Sequence, residues 1–450
     1  MMVGDALQMI DAFYVDPVDQ DQLLIAAMDG MTSTLDEHSE YIPGEDYESF
    51  QDSINQEFAG IGIFVEQSEP GKPVQVVTPL VGSPALEAGM LPGDQIIAVD
   101  GVDVSKMDLR DVSAKLKGQV GTTVDLTVRR QEQELKLLVR RNRIQLESVI
   151  GDYRDSDNRW VYRLRDEPSI AYIRLTSFGE KTVNELEEVL VELANDYDAL
   201  VLDVRGNGGG LLHAAVDISN LFLHSGKIVS TRTRGGKIED RFQADSGTLV
   251  DDDKPIAILI DGNSASASEI VAACLQDNDR AVVVGTRSYG KGTVQNILPL
   301  QFGRSALRLT VARYYRPNGE NIHRIKDATE EDQWGVRPNE GLKVELDEAT
   351  LEKLAKSWRE ASYPALAFVD DVAVDDAVDE SGSETASDAV ASGDPKVGDA
   401  DPGTTDSVTS GLLIDAQLRR AVEYLREAIS GKRSANQDPS EKAPATPEAA

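Results

Sequence analysis

The sequence predicts a multidomain α/β protein, and three observations carry that prediction. The chain has 450 residues, which is enough for two or three domains. Residues 57–141 contain short strand-like runs with two brief helical pieces. After residue 144, apolar runs of strand length alternate with helical stretches, which is typical of a buried parallel sheet with crossover helices.

Residues 1–56 are predicted to form a helical N-terminal segment. Val3, Leu7, Ile10 and Tyr14 recur at helical spacing, and the pattern stops at Pro17. The segment has no basic start followed by an apolar block, so it does not resemble a secretion signal. No stretch of the chain approaches the roughly 20 apolar residues that span a bilayer. We therefore expect neither a signal peptide nor a transmembrane segment.

Residues 57–143 are predicted to form a small β domain with two helices. The strand-like runs are FAGIGIFVEQ, PVQVVTPL, DQIIAVDG, TTVDLTVRR and LKLLVRR. The helical pieces are SPALEAG and DLRDVSAKL.

Residues 144–345 are predicted to form the α/β core. The apolar runs are SIAYIRLTSF, ALVLDVRG, PIAILIDG and AVVVGTR, and the helical stretches are VNELEEVLVELAND and SEIVAACLQD. Cys274, the one cysteine of the chain, lies in the second of these helices and is expected to pack as a small hydrophobic residue.

The C-terminal part is predicted to be mixed. Residues 346–369 continue as helix and linker. Residues 370–410 are rich in Asp, Ala, Ser and Gly, and such a composition buries too little apolar surface to fold, so an acidic disordered insert is expected. A final helix is expected over residues 411–430, where Leu418, Ala421 and Leu425 share one face, and a disordered tail over residues 431–450.

The net charge of −34 excludes one class of partner. A nucleic-acid backbone is bound by clustered Lys and Arg, and a surface this acidic would repel it. We therefore expect no nucleic-acid partner.

The stretch GNSASASEI places a candidate nucleophile at the start of a helix. A strand ends near Gly262, and small residues lead into an apolar helix. Ser266 would lie beside free backbone N–H groups and the positive end of the helix dipole, which is a place where an oxyanion can be held. In isolation the motif favours the simpler interpretation, in which the serines only cap the helix.

A serine nucleophile needs a base, and Lys291 suits that role. The four histidines, His38, His213, His224 and His323, have no neighbours in the sequence that mark one as a base. Burial disfavours the ammonium ion and lowers a lysine pKa, so a buried lysine can accept a proton. Lys291 follows an apolar strand and is flanked by glycines.

The same stretch, GTRSYGKGTVQ, also approaches the pattern of a phosphate-binding loop. Such a loop needs Ser or Thr directly after the lysine and a helix beyond it. Gly292 stands at the first place, and TVQNILPL continues as a strand. We therefore predict that no nucleotide binds here.

A third motif, DVRGNGGGLL, runs from a strand into Gly208, Gly209 and Gly210. Without side chains, the backbone amides of these residues can approach a ligand closely. A plain tight turn is the alternative interpretation.

Together these motifs resemble the carboxyl-terminal processing peptidases, also called tail-specific proteases. The resemblance rests on GNSASASEI, RSYGKGTVQ, DVRGNGGGLL, FAGIGI and the early LDEHSEYIP. It extends from the first helix to about Asn339 in the expected order, and DAQLRRAVEYL is similar to the closing helix of the family. The resemblance implies a crotonase-like or ClpP-like protease core with an inserted PDZ domain, and a location in the cell envelope or periplasm.

The resemblance also implies a role for individual residues. Ser266 matches the nucleophile, Lys291 the general base, and Gln295 the glutamine that positions the lysine. The backbone amides of Ala267 and Gly209 would form the oxyanion hole. In the PDZ domain, the loop of Gly60, Ile61, Gly62 and Ile63 would bind the C-terminal carboxylate of a peptide, which would add to a sheet edge.

The sequence therefore predicts a serine endopeptidase that binds exposed protein C-termini and uses no metal, nucleotide or other cofactor. A homodimer through the terminal helices is also expected. The alternative is a PDZ peptide-binding adaptor whose protease core is catalytically degenerate.

Overall fold

The computed structural model of the chain describes residues 2–300, 302–363 and 411–437. Its α-helices are α1 (Met2–Phe13), α2 (Gln20–Thr32), α3 (Gly44–Asn55), α4 (Pro84–Glu87), α5 (Leu109–Leu116), α6 (Thr182–Leu193), α7 (Leu212–Phe222), α8 (Ala267–Asp277), α9 (Glu348–Ser362), α10 (Gly411–Ile414) and α11 (Ala416–Gln437). Its first twelve strands are β1 (Glu40–Ile42), β2 (Glu57–Gly60), β3 (Ile63–Glu66), β4 (Val74–Pro79), β5 (Gln95–Val99), β6 (Val102–Asp103), β7 (Thr123–Arg130), β8 (Gln133–Arg140), β9 (Asn142–Gln145), β10 (Val149–Ile150), β11 (Tyr153–Arg154) and β12 (Trp160–Val161). The remaining strands are β13 (Ile170–Leu175), β14 (Ala199–Asp203), β15 (Lys227–Arg232), β16 (Ile238–Gln243), β17 (Ile256–Ile260), β18 (Val282–Gly285), β19 (Thr293–Leu300) and β20 (Ser305–Tyr315).

The core is a five-stranded sheet in the order β10-β13-β14-β17-β18. Strands β13, β14, β17 and β18 are parallel, and every residue of β14 and β17 is buried. Helices α6, α7 and α8 pack on one face through Leu200 and Leu202, and α11 packs on the other face against Val201. The α/β class with parallel strands and crossover helices is thus confirmed.

A second sheet lies beside the core and carries the lysine segment. Its order is β1-β20-β15-β16, and β19 pairs antiparallel with β20. Strand β1 brings the early motif of the N-terminal segment onto β20, with Glu40 opposite Arg308. The sheet therefore joins the N-terminal segment to the protease core.

The small β domain has a sheet of its own, in the order β3-β4-β5-β7-β8 with β6 paired to β5. All its strand pairs are antiparallel, and α4 and α5 close a core that includes Val76, Ile96, Val112 and Leu126. Strand β3 lies at the edge of this sheet. The chain enters and leaves the domain through β2 and β9, which pair with each other.

The closing helix α11 is anchored by a buried ion network. Arg205, two residues after the end of β14, contacts Asp203 at 2.6 Å and Asp415 at 2.7 Å. Leu418 and Leu425 of the helix are buried, as the apolar face predicted. The helix continues to Gln437, beyond the point near Gly431 where the sequence suggested a tail. Gly431 disfavours a helix by only about 1 kcal/mol, and no proline follows it before Gln437.

The expected acidic insert, residues 370–410, and the last part of the expected tail, residues 438–450, lie outside the described residues. None of the described helices combines the length and the apolar composition that crossing a bilayer requires.

Candidate active site

Ser266 lies at the N-cap of α8, directly after the loop that leaves β17. Its backbone has φ 56° and ψ −113°, a conformation that non-glycine residues rarely adopt and that stores about 1–3 kcal/mol of strain. The loop is held to the glycine motif, because the N–H of Ala265 and the hydroxyl of Ser268 both donate to the carbonyl of Asn207, at 3.0 and 2.8 Å. This strained turn presents the side chain of Ser266 to a cleft.

The glycine motif reaches the same place. Gly209 has φ 99°, and a Cβ atom built on it would lie 2.8 Å from Cβ of Ser266 and 2.9 Å from the backbone nitrogen of Ala267. Only glycine fits this approach. The structure thus brings Ser266, Ala267 and Gly209 together.

The two expected oxyanion donors differ in their present partners. The N–H of Ala267 belongs to the first turn of α8, where backbone N–H groups have no partner within the helix. The N–H of Gly209 donates to Oδ1 of Asn207 at 2.8 Å. For Gly209 to bind an oxyanion, its N–H must share or exchange that acceptor, so its role stays a prediction.

Lys291 lines the same cleft as Ser266, from the loop between β18 and β19. Burial lowers the pKa of Lys291, and the nearby charge of Arg308 lowers it further, while Glu269 and other carboxylates oppose the shift. His38 also lies near this site: burial and then the charge of Lys291 lower its pKa. The lysine is therefore biased towards the neutral form that a base requires.

Lys291 lies in a tight loop that leads into strand β19. Gly290 has φ 91°, and a Cβ atom on Gly292 would lie 2.3 Å from the backbone nitrogen of His323, so both positions require glycine. Strand β19, and no helix, follows the lysine, as the sequence predicted. The helix that a phosphate-binding loop needs is therefore replaced by a strand.

Gln295 also lines the cleft, from β19, where a bulge separates Val294 from Gln295. Its amide nitrogen donates to the hydroxyls of Thr293 at 2.8 Å and Thr310 at 3.2 Å. The structure thus gathers Ser266, Lys291 and Gln295 around one cleft.

Glu269 is a residue of this site that sequence reasoning missed. It is completely buried, and its Oε2 accepts hydrogen bonds from the backbone N–H groups of Ser266 at 2.8 Å and Lys291 at 2.9 Å. Its Oε1 accepts from the N–H of Gly290 at 2.7 Å and from the hydroxyl of Ser288. Burial raises the pKa of Glu269 to about 7, and these four hydrogen bonds oppose the rise. Since all four partners donate, they match the ionised carboxylate, which ties the serine and lysine segments together.

Tyr314 of β20 is a second residue that the sequence did not reveal. Its hydroxyl donates to the carbonyl of Lys291 and lies within hydrogen-bonding range of the Ser266 side chain. Burial raises the pKa of Tyr314, so the phenol stays neutral and able to donate. It links the backbone of the lysine to the serine side chain.

The cleft has a volume of about 400 Å³ and mostly apolar walls. Phe50 and Ile54 of α3 form one wall, and Ile270 and Ile297 belong to the protease core. Apolar walls of this kind suit an extended peptide with apolar side chains.

The loop expected to bind a carboxylate lines a different pocket, of about 330 Å³. Gly60, Ile61, Gly62 and Ile63 lie at one end of edge strand β3, opposite Leu116 and other residues at the end of α5. Gly62 has φ 77°, and a Cβ atom there would lie 2.5 Å from Cβ of Ser83. These four residues come together as one loop, away from the cleft of Ser266.

Two regions of the chain match known protein families. Residues 169–339 match Peptidase family S41, and residues 75–130 match the PDZ domain. A carboxy-terminal-processing protease of Bartonella bacilliformis is 39% identical over 329 residues, which is 72% of each chain. A carboxyl-terminal-processing protease of Synechocystis is 34% identical over 324 residues, or 71% of each chain. Among solved structures, a photosystem II D1 C-terminal processing protease is 26% identical with a TM-score of 0.42, covering 76% of this chain and 92% of that one.

Proposed function

The chain belongs to peptidase family S41 and is a carboxy-terminal processing serine protease with a PDZ domain, and from this membership we propose how its own residues recognise and cut a substrate. We assign residues 57–143 to the PDZ domain and residues 144–345 to the protease core. The observation that carries the proposal is the convergence of Ser266 and Lys291 on one cleft, with Ser266 on a strained turn and the pKa of Lys291 lowered by burial.

In the first step, Oγ of Ser266 attacks the carbonyl carbon of the scissile peptide bond. Neutral Lys291 takes the hydroxyl proton at Nζ as the new C–O bond forms. The oxygen of the tetrahedral intermediate carries the negative charge, and the backbone N–H groups of Ala267 and Gly209 stabilise it. Gln295 holds the lysine side chain in position.

In the second step, the carbon–nitrogen bond breaks, and Lys291 returns its proton to the leaving amine. Water then attacks the acyl-enzyme, again with Lys291 as the base, and releases the new C-terminus while Ser266 recovers its proton. In this proposal the chain supplies the nucleophile, the base and the oxyanion donors, and water is the second substrate.

The PDZ domain selects the substrate by its free C-terminus. The backbone amides of the loop Gly60 to Ile63 bind the terminal carboxylate, and the tail adds to edge strand β3 as an extra strand. Ile61, Ile63 and Leu116 line the pocket, which favours tails that end in apolar residues.

We also propose that two copies of the chain associate through the two terminal helices, α1 and α11. No residue of α1 is buried within the chain, and Met9 and Phe13 are 65% and 84% exposed. An exposed apolar helix of this kind is suited to a second copy. The proposed location is the cell envelope, which the native N-terminus and fractionation of the source cells would test.

The test uses an unfolded protein with an apolar tail, and the wild-type chain beside Ser266→Ala and Lys291→Ala. The wild type should cut the substrate, and both variants should bind the tail without cutting. Mass spectrometry of the products gives the cleaved bonds. A wild type that binds the tail and leaves it as intact as the variants do would favour a peptide-binding adaptor, and cleavage that requires ATP and magnesium would favour a nucleotide-driven protease.

A further inference from the structure

The early motif LDEHSEYIP has no role in the catalytic steps, yet it lies against β20, the strand that pairs with β19 of the active site. Strand β1 pairs antiparallel with β20, and the turn before it packs on Thr310 of β20. Asp36 and Thr310 are 274 residues apart in the chain. The motif therefore reaches the strand that supports Gln295.

A chain of hydrogen bonds runs from this turn to the cleft. Oδ1 of Asp36 accepts from the hydroxyl of Thr310 at 3.1 Å. That hydroxyl in turn accepts from the amide nitrogen of Gln295 at 3.2 Å. Ser39, which is buried, donates its hydroxyl to Oδ2 of Asp36 at 3.1 Å and accepts from the backbone N–H of Thr310 at the same distance. The turn thus holds both the backbone and the side chain of Thr310.

The carboxylate of Asp36 fixes the direction of this chain. An ionised carboxylate can only accept, so the single hydroxyl proton of Thr310 must point to Asp36. The lone pairs of Thr310 are then left for the amide N–H of Gln295. The second amide hydrogen of Gln295 is donated to Thr293 at 2.8 Å.

Both amide hydrogens of Gln295 are therefore used, and its carbonyl oxygen is the group left to face other partners. A carbonyl oxygen accepts a hydrogen bond from the N–H of a lysine, and the amide nitrogen could not. An amide turned the other way would present two hydrogens to Lys291, which lines the same cleft. The orientation of this amide thus decides whether Gln295 can hold the lysine.

We propose that Asp36 and Thr310 are positioning residues that orient the amide of Gln295 so that its oxygen holds Lys291. This inference rests on the proposed role of Gln295 in the active site. It gives the early motif a specific task in the reaction, although none of its residues needs to touch the substrate.

The test is a double-mutant cycle between Thr310 and Gln295, with kcat and KM measured on a fluorogenic peptide that has an apolar C-terminus. Thr310→Val keeps the shape of the side chain and the strand preference but removes the hydroxyl, and Thr310→Ser restores it. Thr310→Val should lower kcat about tenfold, equivalent to about 1.4 kcal/mol, with KM unchanged. Thr310→Ser should stay close to the wild type, and Asp36→Ala should lower kcat in the same direction as Thr310→Val.

The decisive comparison is made in the Gln295→Ala background, where Thr310→Val should have no further effect on kcat. Thr123→Val, at the exposed start of β7, is the matched control and should change neither constant. Wild-type activity in Gln295→Ala would overturn the proposed role of the glutamine and this inference with it. If Gln295→Ala is impaired, the inference alone is overturned by full activity in Thr310→Val, or by an equal loss from Thr310→Val in both backgrounds, which would indicate a purely structural effect.

Discussion

Substitution of Gly209 by alanine is the most direct structural test of the cleft. Gly209 has φ 99°, which side chains rarely allow, and it lies close to the nucleophile Ser266. A new Cβ atom would lie 2.6 Å from the carbonyl oxygen of Ala265, 2.8 Å from Cβ of Ser266 and 2.9 Å from the nitrogen of Ala267. Two of these three contacts are with backbone atoms, which cannot rotate away.

The size of the effect follows from these distances. Ordinary van der Waals contact begins near 3.4 Å, so the glycine segment and the Ser266 turn must separate by 0.8 Å. A displacement of about 1 Å between reacting groups can lower a rate by about 100-fold, and losing one oxyanion donor has an effect of about 100- to 1,000-fold. We therefore expect Gly209→Ala to lower kcat by about 100-fold with little change in KM.

Steady-state cleavage of a short peptide, together with thermal unfolding of each variant, measures the effect. Gly208→Ala is the matched control, because a Cβ atom there meets nothing within 4 Å and the residue does not have positive φ. It should retain activity within about threefold of the wild type. A Gly209→Ala protein that cuts as fast as Gly208→Ala would refute the close approach of the glycine segment to Ser266.

Three further predictions concern the base, the buried carboxylate and the PDZ loop. Burial lowers the pKa of Lys291 from its ordinary value of 10.5, and the neutral fraction of the lysine grows as pH rises. We therefore expect kcat/KM to increase from neutral to alkaline pH and to level off with an apparent pKa below 10.5. A flat pH profile would contradict a lysine base. Glu269→Ala removes the acceptor of four donors, two of which are buried and would cost about 1–3 kcal/mol each if left unsatisfied, so both the midpoint of thermal unfolding and kcat should fall. An unchanged kcat in the folded variant would show that the carboxylate does not hold the site. Gly62→Ala would place the new Cβ atom 2.5 Å from Cβ of Ser83 and so distort the PDZ loop. KM should then rise for a tailed protein but not for a short peptide that is cut without help from the PDZ domain. The same KM for Gly62→Ala and wild type on the tailed protein would argue against this loop as the carboxylate site.

The sequence predicted the α/β core because its signals there are local. Each residue of β14 and β17 is buried, so continuous apolar runs such as ALVLD appear in the chain itself. The sheet of the small β domain could be predicted equally well, since alternating residues of β4 and β7 face its core. Burial that recurs with a fixed period leaves a pattern which needs no knowledge of distant contacts.

The role of Glu269 left no such pattern. In the sequence it is a polar residue three positions after a capping serine, where a glutamate commonly closes the first turn of a helix. Its other partners, Ser288, Gly290 and Lys291, follow 19 to 22 residues later on a separate loop. Only the fold brings that loop onto the carboxylate, so the same residue serves as a cap and as a tie between two catalytic segments.

Helix α3 shows the same limit for a whole element. It presents Phe50 and Ile54 to the cleft, while Asp52 lines the PDZ pocket and pairs with Lys117 at 3.6 Å. Residues four apart share a helix face, whereas a residue two positions away lies on the opposite side. An amphipathic pattern reveals that two faces exist, but it does not reveal which neighbour each face meets. One helix of 12 residues thus contributes to the walls of both pockets, and only the fold assigns each of its faces to a pocket.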